Sequence, residues 1–261
     1  MEQFLYGLNS LFPMFMTYFG SGLLVFARVV GFFRFAPLLN RKEIFSMVRL
    51  CLAILVTVMI VSIIQPKPLP FEDFGSLMVS LILNYAVGAM IGYVAQLLLL
   101  AIEAGGDMIN MQMGLSSAMV LDPTTQSQTS ILSRIFGLLG ILIFIQVGGI
   151  YWLFRALMRT FEIFPVFATS VPLEQLVNLD YVIQLSSNVL YMGLQIASPV
   201  LLATLGQDII LGVISKTAPQ VNVFQLSFLF KPVLGAAIMI WILPMLFSVI
   251  SDYFNSFANI F

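Results

Sequence analysis

Glu103 and Asp107 lie four residues apart inside EAGGDMINMQMGLSSAMVLDP, the stretch from Glu103 to Pro123, and carboxylates in such apolar surroundings are functional candidates by default. On a helix they would share a face and repel one another. Between them stand Gly105 and Gly106, each of which loosens a helix by roughly 1 kcal/mol. Met108, Met111, Met113 and Met119 then alternate with Asn110, Gln112, Ser116 and Ser117, and Asp122-Pro123 ends the stretch with a pair that disfavours further helix. Three chemistries compete for these residues. Hydrolysis by Ser116 or Ser117 is the poorest, because the chain has no histidine and a lysine base would have to come from distant Lys216 or Lys231. An ion or proton path through Glu103 and Asp107 fits better. No second set of facing acids and bases accompanies them, however, and pairing with an arginine such as Arg28 or Arg49 accounts for them equally well. A plug fits best: methionine is unbranched and deformable, so a cluster of it fills an irregular constriction, and hydrophobic constrictions close pores by excluding water. Filling a gap between subunits explains the methionines as well as a plug does.

The elements that must position this stretch are apolar helices. Of the 261 residues, 60% are hydrophobic and 9% charged, with a mean hydropathy of +1.04, which suits neither a soluble domain nor a disordered one. Such a composition predicts one all-helical unit with short connections, in or beside a bilayer. The net charge of −1 offers no basic surface for nucleic acid. A single cysteine, Cys51, in an apolar run can build neither a disulfide nor a thiolate metal site within one chain, and reads as a small hydrophobe. The opening MEQFLYGLNSLF lacks the basic start of a cleaved signal peptide, so targeting is expected to rely on the first hydrophobic helix.

In order, the first apolar run covers Leu11 to Phe33, interrupted by Pro13, Gly20 and Gly22, and is long enough to cross a bilayer. Arg28 and Arg34 near its end are expected to snorkel to a polar boundary or pair with a carboxylate. A basic loop from Arg34 to Arg49 overlaps the second run, Ile44 to Ile64, and Pro66 to Asp73 is a stiff extended connection. The third run, Phe74 to Ile102, is free of charge and carries Gly88 and Gly92 in a small-xxx-small pattern that permits close helix contact. After the central stretch, Thr124 to Ser130 is a polar loop or the start of a helix, and the fourth run spans Ile135 to Phe154. Arg155, Arg159 and Glu162 follow. Pro199 predicts a kink in the fifth run, Tyr181 to Gln207. From Asp208 to Lys231 the chain reads as two helical arms around a turn at Ala218-Pro219-Gln220, with Asp208, Gly212 and Lys216 on one face. The sixth run covers Pro232 to Ser251.

Simple alternation of these runs across a membrane gives a contradictory distribution of positive charge. The loop after the first run holds Arg34, Arg41 and Lys42, whereas the loop after the third, on the same side, is dominated by Glu103, Asp107 and Asp122. Polar interruptions are also too frequent for helices bathed in lipid. Both points are met if many apolar faces meet other protein subunits, in a membrane assembly with irregular backbone at its centre.

Glu103-Ala104-Gly105-Gly106-Asp107 with Gln112-Met113-Gly114-Leu115-Ser116 and Asp122-Pro123 resembles the signature of the FliR family, a core membrane component of the flagellar type III export gate whose injectisome counterparts form the SctT group. Asp208, Gly212, Lys216, Pro219, Gln220 and Asn222 are similar to a second family segment, and Arg28, Pro37 and Arg49 also match in position. Two places depart from it: Gly148-Gly149-Ile150-Tyr151 lacks a histidine common there, and Lys216 stands where arginine is frequent. The resemblance implies an all-α fold of inclined helical hairpins in a hetero-oligomeric cone, with residues 1–180 resembling FliP and residues 181–261 forming a FliQ-like hairpin. It implies a conduit for unfolded exported proteins, not an enzyme, at the flagellar basal body in the bacterial inner membrane. FliP-like and FliQ-like subunits would surround it, and FlhA-like and FlhB-like export proteins would supply energy and selection. No cofactor is implied, and the membrane lipid is its other neighbour. Within residues 105–122 the resemblance implies a plug loop, sealed by Met108, Met111, Met113, Gly114, Leu115 and Met119, with Gly105 and Gly106 as flexible points. Glu103, Asp107 and Arg28 are read as polar contacts holding its base. A small-solute or ion transporter is the alternative, and would need a discrete midplane site in this chain alone.

If the apolar faces meet other subunits, the chain purified by itself in detergent should be unstable. A monodisperse, long-lived monomer in size-exclusion chromatography would contradict that.

Overall fold

A computed structural model describes residues 2–41, 44–64, 74–116, 130–166 and 179–258. Among them are seven helices and no strand. They are α1 (Glu2–Phe35), α2 (Ser46–Ile64), α3 (Phe74–Gln112), α4 (Ile131–Gln146), α5 (Gly149–Ile163), α6 (Leu179–Thr217) and α7 (Val223–Ala258). Four of these, α2, α3, α6 and α7, are long and apolar enough to cross a membrane, and α4 with α5 makes a fifth if the broken pair counts as one span. The Pro66 to Asp73 connection lies outside the described residues.

Several boundaries differ from the sequence expectation. α1 runs without interruption through Pro13, Gly20 and Gly22, and α7 begins at Val223, placing Pro232 inside it, while Pro199 lies within α6. Long apolar helices tolerate such residues because neighbouring groups and adjacent turns compensate the lost hydrogen bond. The fourth run instead breaks into α4 and α5. Val147 closes α4 by donating its N–H to Ile143 at 2.9 Å, and Gly148 adopts φ +83°, a conformation open to glycine and strained for other residues. α3 extends beyond Ile102 to Gln112, carrying Gly105, Gly106, Asp107, Met108 and Met111 on regular helix where a loop was expected.

Where composition suggests a single unit, the described residues gather in two. The first holds residues 1–96 and 151–182, the second residues 97–150 and 183–261. In the first, Leu24, Val29, Phe32 and Phe33 of α1 form a core with Leu157 and Phe161 of α5, and the Phe32 and Phe154 rings meet edge to face at 6.0 Å. α1 and α3 approach at backbone distance. A Cβ at Gly31 would overlap the Tyr85 carbonyl, one at Gly88 the Arg28 carbonyl, and one at Gly92 would stand 2.6 Å from the Phe32 carbonyl oxygen. The small-residue spacing of Gly88 and Gly92 therefore serves the contact it predicted. In the second unit, Ile102 and Ile109 of α3, Phe136 of α4, Ile196 of α6 and Ile250 of α7 are buried, and the Phe144 and Phe254 rings pack at 5.2 Å.

Much apolar surface stays outside. Trp241 is 83% exposed and Phe224 81%. Water would not tolerate that over whole helix faces, so lipid or other protein must cover them.

Gly88→Val is expected to destabilise the protein by about 3 kcal/mol, because the clash is with backbone that cannot rotate away. Gly212→Ala, where nothing lies near the added methyl group, should be neutral or slightly stabilising. Thermal unfolding of the two variants in one detergent reads the contrast, and equal melting temperatures would refute the close-contact role of Gly88.

Candidate functional site

The central stretch belongs to the second unit, at the C-terminal end of α3. Gly105 and Gly106 are not bends. A Cβ on Gly105 would lie 2.9 Å from Ile196 and 3.1 Å from the Gly193 carbonyl of α6, and one on Gly106 would lie 2.8 Å from the Ser133 Cα of α4. The paired glycines thus let α3 touch α6 and α4 at once. The helix-weakening cost expected of them is offset by packing that any side chain would prevent.

Both carboxylates take part in that packing. Ser130, the N-cap of α4, accepts a hydrogen bond from the Ser133 N–H at 3.1 Å and donates its hydroxyl to Asp107 Oδ1 at 2.5 Å. The Thr124 to Ser130 segment therefore ends as the start of a helix, and the acid beside it sits where α4's dipole favours negative charge. Glu103 lies over Gly137, whose missing side chain makes room for its carboxylate, while its backbone carbonyl accepts the Ser133 hydroxyl at 3.1 Å.

Beyond Asp107 the methionines divide. Met108 is half-buried, Met111 is 72% exposed, and Met113 is buried with its side chain over Gly235 of α7, whose Cβ would stand 2.6 Å from Met113 Cγ. After Gln112 a turn follows at Met113, Gly114 and Leu115. The Gly114 N–H donates to Met111 O at 3.0 Å and the Leu115 N–H to Asn110 O at 3.2 Å, and Gly114 takes φ +74°. Among the described residues of this stretch the left-handed glycine is therefore Gly114, more than two helical turns beyond the flexible points expected at Gly105 and Gly106. Asn110 Nδ2 donates to Ser116 Oγ at 3.0 Å, tying the turn to α3. Met119 and Asp122-Pro123 lie outside the described residues.

Arg28 was expected at the base of this stretch. The structure gives it other work in the first unit. It is 1% exposed, and it neither snorkels nor relies on a carboxylate for its hydrogen bonds. Nε and Nη2 donate to Asn84 Oδ1 at 3.0 and 2.6 Å, Nη1 donates to the Thr160 carbonyl at 2.9 Å, and Nη2 donates to the Phe164 carbonyl at 2.9 Å. Its Cζ stands 4.3 Å from the centre of the Phe161 ring. Asn84 in turn donates to Ser80 O at 2.8 Å and Val166 O at 3.0 Å. The guanidinium thus caps the carbonyl end of α5, where positive charge is favoured, and a cation–π contact supports it. Sequence reasoning passed over Asn84 inside a charge-free run. An asparagine there is itself a signal, since an amide in an apolar helix needs a partner.

The downstream motif forms a helix–turn–helix in the second unit, as the two-arm reading expected. Asp208, Gly212 and Lys216 are all exposed on α6, with Lys216 in its last turn. Pro219 and Gln220 lie in the turn, and Asn222 Oδ1 accepts the Gln225 N–H at 3.3 Å, capping α7. Asp208 bonds Lys231 Nζ at 2.8 and 2.9 Å, linking the two arms. Lys231 was considered in the sequence only as a remote base. Among the described residues no three of Cys, Asp and Glu converge as a metal ion would require.

The family model for bacterial export proteins, family 1, matches residues 19–257 of this chain. Flagellar biosynthetic protein FliR of Escherichia coli K12 is 27% identical over 238 residues, covering 89% of each chain. The FliR of Bacillus subtilis 168 is 27% identical over 256 residues, 95% of this chain and 94% of its own, and that of Caulobacter vibrioides 24% over 97% and 100%.

Arg28→Ala would leave Asn84 and the Thr160 and Phe164 carbonyls without their donor, and should cost about 3 kcal/mol. Arg28→Lys keeps the charge but cannot span the three acceptors, so it should recover only part of that loss. Thermal unfolding of both variants tests this, and a lysine variant as stable as the parent would show that the fork geometry is dispensable.

Proposed function

The chain belongs to the bacterial export proteins, family 1, and on that premise we propose that it is a core subunit of the flagellar type III protein export gate, which forms and plugs the channel for unfolded flagellar proteins. The match over nearly the whole chain carries the export role, together with relatives bearing the name flagellar biosynthetic protein FliR. Apolar helices make it a membrane-embedded protein. We place it in the inner membrane at the basal body, within a cone of FliP-like and FliQ-like subunits, with FlhA-like and FlhB-like proteins supplying energy and selection. Residues 1–180 would take the FliP-like part and residues 181–261 the FliQ-like hairpin, whose turn carries Pro219, Gln220 and Asn222.

Met111 is the observation that supports the plug. It projects 72% exposed from the last turn of α3, immediately before the turn at Gly114, while its neighbour Met113 is anchored against α7. An anchored methionine followed by a glycine turn is a rigid mount. An exposed, deformable one beside it is free to fill a constriction. In this reading Met108, Met111, Gly114, Leu115 and Met119 form the seal, and Glu103 and Asp107 brace it through Gly137 and Ser130 rather than conduct ions. Their use in packing α3 on α4 weighs against the transporter alternative, because a carboxylate occupied in this way is not a free relay.

Ion conductance of membranes carrying the full assembly tests the proposal. Removing Met108 to Met119 should open a large, poorly selective leak, Met111→Asp a smaller one by hydrating the constriction, and Asp107→Lys a leak through the loosened brace. Conductance that stays at the parent level in an intact assembly would move the closing element to another subunit.

A further inference from the structure

One polar feature of the first unit has no part in the export reading and does not depend on it. Where α1 ends and α2 begins, a pocket of about 100 Å³ opens between Val30, Phe33 and Arg34 of α1 and Ser46, Arg49 and Ala53 of α2. Arg34 and Arg49 are the charged groups on its wall, and the rest is mostly hydrocarbon. Arg34 is exposed and donates from Nη1 to Asn40 Oδ1 at 3.3 Å. Arg49 is half-buried and donates from Nη2 to the Arg41 carbonyl at 3.3 Å, but its Nε is buried without a hydrogen-bond partner among the described residues. Such an orphaned donor on a cation is costly and calls for an acceptor.

The pocket restricts what that acceptor can be. Two guanidinium groups ask for an anion with several oxygens, since a planar fork binds phosphate through paired donors. The pocket lies between the N-terminal end of α2, whose dipole favours an anion, and the C-terminal end of α1, whose dipole opposes it, so the attraction comes from the two guanidinium groups. α2 has 19 residues, roughly 28 Å of helix, so one of its ends lies at headgroup level when it spans a bilayer. From that end an apolar face runs the length of the helix, with Met47 75% exposed and Val58, Met59 and Ile63 also exposed. A carboxylate alone would answer the charge but would leave the hydrocarbon walls and the α2 face uncovered, whereas a phospholipid supplies phosphate and hydrocarbon in one molecule.

We infer that Arg34 and Arg49 bind the phosphate of an anionic phospholipid, whose acyl chains lie along the exposed face of α2. A small turn of the Arg49 guanidinium would bring Nε and an Nη donor to two phosphate oxygens and relieve the orphan. Basic pockets between apolar helices are a recurrent form of lipid-headgroup recognition.

Native mass spectrometry of the full chain, extracted with whatever subunits accompany it and exchanged into micelles containing dioleoylphosphatidylglycerol or dioleoylphosphatidylcholine, tests this. The phosphatidylglycerol adduct should be retained about tenfold more than the phosphatidylcholine adduct. Arg34→Gln with Arg49→Gln should abolish the difference, while Arg155→Gln on α5 should leave it unchanged. Should the double variant fail to fold, Leu50→Trp, at another α2 residue that lines the pocket, enlarges the side chain there while keeping both arginines and should remove the adduct instead. Equal retention of the two lipids, or retention surviving the double variant or Leu50→Trp, would overturn the inference. So would displacement of the lipid by millimolar inorganic phosphate, since the acyl chains would then add nothing. An acidic protein lost from the complex in the double variant, with lipid retention unaffected, would reassign the arginines to a carboxylate.

Discussion

In an apolar protein whose neighbours are lipid or other apolar helices, burial alone gives little reason for one helix to choose another, so packing depends on how closely backbones can approach. α3 carries that constraint in both units. In the first, Gly88 and Gly92 of α3, with Gly31 of α1, remove every atom that would hold the two helices apart. In the second, Gly105 and Gly106 do the same toward α6 and α4, and Gly193 of α6 answers Gly105 across the contact. Close approach then brings short polar side chains within reach of backbone. The Ser133 hydroxyl meets the Glu103 carbonyl and Ser130 meets Asp107 because the glycines let them.

Polar satisfaction is the second demand. A guanidinium buried as fully as Arg28 is stable only if its donors are all used, and satisfying them joins three separate segments of the first unit. Asn84 holds one edge of the fork while the end of α5 holds the other, so α1, α3 and α5 cannot shift independently. The contrast with Arg49 is instructive. Arg28 is fully used within the chain, whereas Arg49 keeps a buried donor without a partner among the described residues, beside a pocket. The first behaves as structure and the second as a binding group.

These features make the described part of the central stretch, residues 103–116, a braced projection. Asp107, Glu103 and Met113 are each held by a neighbouring helix, and the side chain left outward is Met111. The proposed seal would draw on this division, with stiffness in the mount and deformability at the tip. The wide apolar surfaces of α6 and α7 must likewise be covered by lipid or other protein.

Local chemistry determined a good deal. Long apolar runs pointed to the helices found among the described residues, Thr124 to Ser130 read as a loop or a helix start, the Gly88 and Gly92 spacing permitted a close contact, and Ala218-Pro219-Gln220 marked a turn between two arms. Each of these depends on residues a few positions apart, where periodicity and capping are readable. Other assignments waited for the tertiary structure. Gly105 and Gly106 have the composition of a hinge and lie in a helix, because whether glycine bends or packs is decided by what approaches it. Arg28 meets Asn84 from 56 positions away and Thr160 from 132, and Asp208 meets Lys231 across a hairpin. A charged side chain advertises that it needs a partner, and only the folding of distant segments against it decides which one.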